Sequence, residues 1–218
     1  MNSFPLVVDQ CLRRLASQSD VFVLQIGAAE GILGDYIHSY LTNSPWDALL
    51  LEPISDLFDR LVVNYQNAPR VRCERLAIAS HDGTANLYRL DSCDGLPWWA
   101  EQLASLDRNV IASHESLIPG LANRIVCEAV PCTTVSTLIE RFGIRTVEFA
   151  AIDTEGHDAA IILQLLEARL LPDCILFEHK HLAQTELKLL HDRLESDGYF
   201  RIDGSDDSLC SRMPLWAS

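Results

Sequence analysis

The chain has 218 residues, of which 48% are hydrophobic, and a formal net charge of −14. This length suits one domain spanning residues 1–218, with enough apolar residues for a full core. The charge disfavours a nucleic-acid partner, because a phosphate backbone binds to a positive field. No apolar run is long enough to cross a bilayer, no signal peptide is recognisable, and the seven cysteines show no CxxC spacing. We therefore expect a cytoplasmic protein with reduced thiols.

The first 90 residues predict an alternation of helices and strands. Apolar runs rich in β-branched residues and ended by glycine or proline predict buried strands, and apolar residues at helical spacing predict amphipathic helices. The predicted elements are a helix within 1–20, a strand over 21–27, a helix over 32–43, a strand over 46–53, a helix over 54–67, a strand over 71–80 and a short strand over 84–90.

Residues 92–129 interrupt this alternation. They contain Trp98, Trp99 and His114 together with two prolines and two glycines. A segment this long is often functional, and paired tryptophans can line a substrate pocket. Two interpretations remain open, namely a lid over a site and an insertion that only packs on the core.

The alternation resumes in the C-terminal part of the chain. The predicted elements are a helix over 135–144, a strand over 147–156, a helix over 158–171, a strand over 174–182, a helix over 183–198, a strand over 199–203 and an antiparallel edge strand over 208–213. Strands that alternate with helices predict an α/β fold with a mostly parallel, doubly wound sheet. In that fold ligands bind beyond the carboxyl ends of the strands.

The first predicted strand ends in a turn of small residues, Gly27 to Gly31. Its glycines permit close approach of a ligand, and the helix predicted after it would point backbone amides at the turn. Ala29 stands where the second glycine of the GxGxxG dinucleotide motif would be. Glu52 follows about twenty residues later at the end of the next strand, where an acid can accept hydrogen bonds from ribose hydroxyls. Together they favour an adenosine-type cofactor and leave NAD and S-adenosylmethionine as alternatives, while tight turn packing explains the glycines equally well.

Polar residues also follow the strands near 150 and 175. Three acids, Asp153, Glu155 and Asp158, lie close to His157, and like charges at this spacing need a cation, a proton or hydrogen-bond donors. Helix capping explains Asp158 more easily than Asp153. The sequence Glu178-His179-Lys180-His181 ends the next strand, and a histidine can act as a general base.

Five ordered motifs resemble one known family. They are QIGAAEG, LLLEP, LAIASHDGTANLY, FAAIDTEGHD and ILFEHKHL. The set resembles the FkbM family of S-adenosylmethionine-dependent methyltransferases, from about Phe22 to the terminal strands. The resemblance implies the Rossmann-like class I methyltransferase fold with an antiparallel last strand. It also implies O-methylation of a hydroxyl on a glycan or small natural product.

The resemblance assigns roles to residues. It implies a loop around the cofactor's methionine part at Gly27, Ala28 and Gly31, a ribose-binding acid at Glu52 and adenine contacts at Ala77, Ile78 and Asp82. The predicted cofactor-binding residues are Gln25, Gly27, Ala28, Glu30, Gly31, Glu52, Pro53, Ala77, Ile78, Asp82 and Asp153. The catalytic candidates are Asp153, Glu155, His157 and His179, and a metal held by Asp153, Glu155 and Glu178 is a minor alternative to a metal-free site.

Two positions depart from the family pattern. Gln25 stands where many members have aspartate, and Ala29 stands where asparagine is frequent. A glutamine can hydrogen-bond the cofactor but cannot pair with its ammonium group. The alternatives to a methyltransferase are a catalytically silent cofactor-binding or partner subunit and an NAD-dependent oxidoreductase, which would lack both GxGxxG and an evident Tyr-x-x-x-Lys pair.

Overall fold

A computed structural model describes residues 4–213. The helices are α1 (Phe4–Leu15), α2 (His38–Asn43), α3 (Ser55–Asn64), α4 (Arg108–Ala112), α5 (Val135–Phe142), α6 (Asp158–Glu167) and α7 (Gln184–Ser196). The strands are β1 (Phe22–Ile26), β2 (Asp47–Leu51), β3 (Val71–Glu74), β4 (Ala77–Ile78), β5 (Gly83–Leu90), β6 (Ala104–Ser105), β7 (Ile125–Thr133), β8 (Phe149–Ile152), β9 (Cys174–Glu178), β10 (Phe200–Asp203) and β11 (Asp207–Ser211).

The main sheet has seven strands in the order β10-β11-β9-β8-β1-β2-β3. Strands β9, β8, β1, β2 and β3 are parallel, and β11 is antiparallel to both of its neighbours. Alternate residues of β1 point to opposite faces, so Leu24 and Ile26 pack with α5, α6 and α7, whereas Val23 packs with α1, α2 and α3. The helices therefore cover both faces, as the doubly wound prediction requires.

A second sheet, in the order β4-β7-β5-β6, lies beside the first. Its long antiparallel pair joins Gly83–Leu90 to Ile125–Thr133. The segment 92–129, which runs from the end of β5 into β7, builds a small core that includes Leu103, Ile111 and Leu121. The sequence interpretation missed β7, because Pro131 and scattered polar residues hide its pattern.

The helix predicted over 32–43 is wrong in its first half. Residues 32–37 form turns, and only His38–Asn43 is helical. Gly34 has a φ of +76°, and the Asp35 carboxylate accepts hydrogen bonds from the amides of Ile37 and His38 at 2.6 and 3.2 Å. This local bonding of an aspartate to the following backbone competes with helix formation.

Two strand predictions are also corrected. The single strand predicted over 71–80 is divided into β3 and β4, which belong to different sheets, because the local sequence pattern does not reveal a change of strand partner. The strand predicted over 208–213 is antiparallel as expected, but β11 lies inside the sheet and β10 forms the edge. Burial agrees with this order, since residues 208–211 are buried and β10 is largely exposed. Among residues 4–213 no helix has the length and apolarity needed to span a bilayer.

Candidate functional site

Two adjoining clefts open at the carboxyl ends of β1, β2 and β8. The first, which we call the apolar cleft, is lined by Ile26, Gly27, Ala29, Glu52, Pro53, Ile54, Leu76, Ala77, Ile78, Leu87, Gln102, Ala104, Leu106, Asp153, Thr154, Glu155 and His157. The second, the acidic cleft, takes in three aspartates, Asp35, Asp153 and Asp207, together with Gln25, Gly27 and Ala28. The two share Gly27, Ala29, Gln102 and Asp153. The topological rule for α/β sheets predicts a ligand site at this edge.

The glycine at position 27 is required by backbone packing. A Cβ atom built on Gly27 would lie 1.7 Å from the carbonyl oxygen of Asp153, and the residue has a φ of +82°. The amides of Gly27 and Ala28 both donate to the carbonyl oxygen of Leu51 at 3.0 Å. These amides therefore hold β1 against β2, and the expectation that a helix aims free amides at the turn is wrong, because α2 begins only at His38.

Gly31 and Glu30 also stabilise the turn after β1, through close packing and through hydrogen bonds. A Cβ on Gly31 would lie 2.6 Å from side-chain atoms of both Leu61 and Tyr65. Glu30 is 9% exposed, and its carboxylate accepts hydrogen bonds from the Leu33 amide at 2.9 Å and the Gln102 side chain at 3.2 Å. Neither residue lines the apolar or the acidic cleft.

Glu52 is buried at the boundary between the turn and the apolar cleft. Its two carboxylate oxygens accept hydrogen bonds from the Ala29 and Ile54 amides, each at 2.8 Å. Burial raises the pKa of Glu52 to about 7, against the effect of these two hydrogen bonds. Each oxygen keeps a second lone pair, so the group can also accept hydrogen bonds from a ligand in the cleft.

Gln25 has an acidic neighbour that sequence analysis missed. Its side-chain nitrogen donates to Oδ2 of Asp35 at 3.1 Å, and both residues line the acidic cleft. The other side-chain atom, Oε1 of Gln25, is buried without a hydrogen-bond partner. Burial raises the pKa of Asp35, against its hydrogen bonds. The wrong helix prediction over 32–43 concealed Asp35, because it placed this residue on a regular helix.

Asp153 lies where the two clefts meet. Enclosure by the surrounding protein, followed by the charges of Glu155 and Asp158, raises the pKa of Asp153 well above its ordinary value, although the side chain is open to the cleft. Asp158 is fully buried, and one of its oxygens accepts a hydrogen bond from the Thr154 hydroxyl at 2.9 Å. A cation bound beside Asp153 would favour its ionised form.

The two histidines predicted as catalytic lie in different surroundings. His157 lines the apolar cleft, its Nε2 is buried without a hydrogen-bond partner, and burial lowers its pKa. His179 lies outside both clefts, and its Nδ1 is 2.9 Å from the Ser208 hydroxyl, which donates to Asp203 at 2.7 Å. This contact ties β9 to β11.

Asp82 also lies outside the clefts. Its carboxylate accepts hydrogen bonds from the hydroxyls of Thr133 and Thr137 and from the Thr134 amide, at 2.7 to 2.8 Å. These hydrogen bonds lower the pKa of Asp82 and hold the start of α5. Sequence analysis missed several cleft residues that become neighbours only through the second sheet, namely Leu76, Leu87, Gln102, Ala104 and Leu106.

This sheet order, with an antiparallel strand inside a parallel sheet and clefts at the strands' carboxyl ends, defines the fold of S-adenosylmethionine-dependent methyltransferases. Two solved structures share this fold. The METTL16 MTase domain matches with a TM-score of 0.52 and 10% identity, over 97% of this chain and 67% of that chain. The methyltransferase FkbM from Methylobacillus flagellatus KT matches with a TM-score of 0.56 and 12% identity, over 89% of this chain and 44% of that chain.

The family follows from the sequence. A model of the methyltransferase FkbM domain matches residues 25–200, and the chain belongs to this family. The sequence has no significant match among curated proteins. The Methanococcus jannaschii fibrillarin pre-rRNA processing protein aligns over 88% of this chain with 10% identity and a TM-score of 0.43, and this chain spans 65% of its length.

Proposed function

We propose that the protein binds S-adenosylmethionine across the two clefts and transfers its methyl group to a hydroxyl of a small natural product or glycan. The observation that carries this proposal is the junction of an apolar and an acidic cleft at Gly27 and Asp153. An adenosine group has a flat, weakly polar base, and the methionine part carries an ammonium, a carboxylate and a sulfonium, which together give a net positive charge. The two clefts match these two halves in polarity and sign.

The apolar cleft is proposed to hold the adenosine. Ala77, Ile78 and Leu87 offer apolar surface for the base, and Glu52 lies at the same cleft with spare lone pairs for the ribose hydroxyls. Pro53 lines the cleft next to Glu52. Gly31, Glu30 and Asp82 support this arrangement from outside the clefts rather than by contact with the cofactor.

The acidic cleft is proposed to hold the methionine part. Gln25 cannot pair with an ammonium group, but Asp35 lies within hydrogen-bond distance of Gln25 and lines the same cleft. Asp35 therefore supplies the carboxylate that the family pattern places at position 25. Asp153 and Asp207 add to the negative field there.

Bound S-adenosylmethionine supplies an electrophilic methyl group, so the chain's residues mainly position the acceptor. Asp153, at the junction of the clefts, orients the acceptor hydroxyl, and His157 in the same lining accepts its proton. His179 holds β11, and Glu155 turns its carboxylate toward His181 at 3.0 Å.

The acceptor is proposed to enter beside Trp98. This side chain is 60% exposed and shares a surface depression with Ile32, Leu33 and Gln102, the last of which lines both clefts. The charged residues of the same depression are Glu30, Arg60 and Glu101. Ile32 and Leu33 are also exposed, at 44% and 58%. An aromatic face with apolar neighbours suits a sugar ring or an apolar natural product. The net charge of −14 favours such an acceptor over a nucleic acid.

The test combines cofactor binding with turnover. Calorimetry of the purified protein should show one S-adenosylmethionine per chain, and radiolabelled methyl transfer should be detected to a member of a panel of hydroxylated glycans and natural products. Asp153→Asn is nearly isosteric, so we expect it to keep the fold and to lower turnover at least 100-fold. Asp94→Asn, an exposed change on the segment 92–129, is the matched control.

Each outcome decides between alternatives. Wild-type turnover in Asp153→Asn would refute the catalytic assignment, and failure to bind S-adenosylmethionine would refute the cofactor assignment. Cofactor binding without transfer to any acceptor of the panel would favour the catalytically silent alternative. Transfer to RNA rather than to a glycan or natural product would overturn the proposed acceptor class.

A further inference from the structure

The side chains of Glu155, Glu178 and His181 lie close together beside the apolar cleft. The atoms that they turn toward one another form no hydrogen bonds. Nε2 of His181 lies 3.0 Å from Oε2 of Glu155 and 3.8 Å from Oε2 of Glu178. One ligand atom from each residue lies within 4.8 Å of the other two. The sequence-based alternative of Asp153, Glu155 and Glu178 is thus changed, because His181 takes the place of Asp153.

These three side chains are largely enclosed. The side chain of His181 is 10% exposed, that of Glu178 11% and that of Glu155 20%. All three facing atoms are buried and lack a hydrogen-bond partner. Buried polar atoms without partners are rare in native proteins, and an ion is one of the ordinary explanations for them.

The backbone is shaped to bring the group together. Glu155 has a φ of +52°, in the left-handed region that side chains seldom adopt, and its carbonyl oxygen accepts a hydrogen bond from the Ser105 hydroxyl at 2.6 Å. The imidazole of His181 packs on that of His114 with 5.1 Å between ring centroids. Strain of this kind persists only where the surroundings hold it and is concentrated at functional sites.

Several acidic side chains lie close to Glu178. Burial, followed by the charges of Glu155 and Asp153, raises the pKa of Glu178 to about 10. Asp158 adds a further acid to this cluster. A divalent ion bound here would offset the repulsion among these carboxylates.

We propose that Glu155, Glu178 and His181 bind a divalent transition-metal ion. Two carboxylate oxygens and one imidazole nitrogen form a donor set that suits Zn²⁺ or Mn²⁺. Ligand atoms about 2.1 Å from an ion lie roughly 3.0 to 3.5 Å apart. The separation of 3.0 Å between His181 and Glu155 fits this range, and the separation of 3.8 Å between His181 and Glu178 would shorten slightly around an ion. Three protein ligands leave positions open for water or substrate, as in catalytic metal sites. Glu155 also lines the apolar cleft, so the ion would lie next to the cleft.

Metal binding is tested with the metal alone. The protein is stripped with chelator, dialysed and titrated with ZnCl₂ by calorimetry, and MnCl₂ binding is followed by electron paramagnetic resonance. We expect one ion per chain and at least tenfold weaker binding in His181→Ala and in Glu178→Gln. His191→Ala is the matched control, because its Nε2 on α7 is likewise buried without a hydrogen-bond partner. This control should bind the ion as the wild type does.

The competing explanation is a proton-sharing histidine–carboxylate pair that binds no metal. Absence of binding by both ions, or equal affinity in wild type and His181→Ala, would overturn the proposal. Circular dichroism and thermal denaturation of each variant separate lost ligands from lost fold, and Glu155→Gln provides a ligand change of conserved shape. Calorimetry with S-adenosylmethionine on the same samples distinguishes failure of the metal proposal from failure of the proposed function.

Discussion

At the scale of single residues, Glu52 is placed so that its protonation controls cofactor binding. It must be ionised to accept hydrogen bonds from both ribose hydroxyls while holding two backbone amides, yet burial raises its pKa to about 7. We expect the affinity for S-adenosylmethionine to be about tenfold weaker at pH 6 than at pH 8. Calorimetry across this range measures the effect, and Glu52→Gln should bind weakly at both pH values without this pH dependence.

The same pKa has a consequence for stability with a defined sign. The folded protein holds the Glu52 proton more tightly than the unfolded chain between about pH 4.5 and 7, so the contribution to the free energy of unfolding decreases as the pH rises through this window. If chemical denaturation shows the wild type and Glu52→Gln changing in parallel over this window, Glu52 is not buried as described.

Asp35 is the second residue whose role is testable by itself. In Asp35→Asn the amide oxygen can still accept hydrogen bonds from Ile37 and His38, and the buried Oε1 of Gln25 can accept from the new amide after a flip. We therefore expect little change in melting temperature and at least fivefold weaker binding of S-adenosylmethionine. Asp20→Asn, on the surface, should leave affinity unchanged. Equal affinity in Asp35→Asn would remove Asp35 from the cofactor site.

Sequence analysis predicted some site residues and not others for a physical reason. Gly27, Glu52 and Asp153 follow predicted strands directly, so their place at the sheet edge could be deduced from chain order. Asp35 and Gln102 reach the site from turns, where local patterns carry little information. His181 follows β9 and was noted at that strand end, but its contact with Glu155 depends on the tertiary structure. Asp35 lay within a predicted helix, and only the tertiary structure brings it to Gln25.

At the scale of elements, the turn after β1 depends on its close approach to the end of β8. In Gly27→Ala the new methyl group would overlap the Asp153 carbonyl oxygen, so the two strand ends must separate. Gly198 is a matched control, because its φ of +87° is similar and a Cβ there would meet no atom within 4 Å. We expect Gly198→Ala to cost about 1–2 kcal/mol in the free energy of unfolding and Gly27→Ala clearly more. Equal costs by chemical denaturation would show that the close approach is unimportant.

The segment 92–129 keeps its two interpretations, and the structure indicates how to separate them. Gln102, Ala104 and Leu106 line the apolar cleft, and Trp99 packs on the segment's own small core. If the segment acts as a lid, cofactor and acceptor together should change the fluorescence of Trp98 and slow proteolysis there. Trp98→Phe removes this signal and serves as the control. Unchanged fluorescence and cleavage would favour an insertion that only packs.

The strands could be predicted from the sequence where both of their faces are buried. Strands β1, β2, β8 and β9 are buried on both faces and gave continuous apolar runs, so their existence was predicted from the sequence. Strand β7 was not predicted, because it is half-exposed. The helix predicted over 32–43 was wrong in its first half, because the Asp35 carboxylate accepts a hydrogen bond from the Ile37 amide. Partner order, which puts β11 inside the sheet, depends on contacts between distant segments.

At the scale of the whole molecule, the protein is strongly negative, and negative side chains are also concentrated at the acidic cleft. The chain has a net charge of −14, and Asp35, Asp153 and Asp207 surround the acidic cleft. Methyl transfer would convert a sulfonium to an uncharged thioether, so the positive charge of the bound cofactor would fall by one unit in each turnover and its attraction to the cleft would weaken.

The spent cofactor, S-adenosylhomocysteine, should therefore bind several-fold more weakly than S-adenosylmethionine. Asp153→Asn should reduce this difference in affinity between the two ligands. Calorimetry with both ligands measures it, and tighter binding of S-adenosylhomocysteine would contradict it. Each turnover would thus weaken the attraction of the cleft for its occupant, and the spent cofactor would dissociate faster than S-adenosylmethionine does.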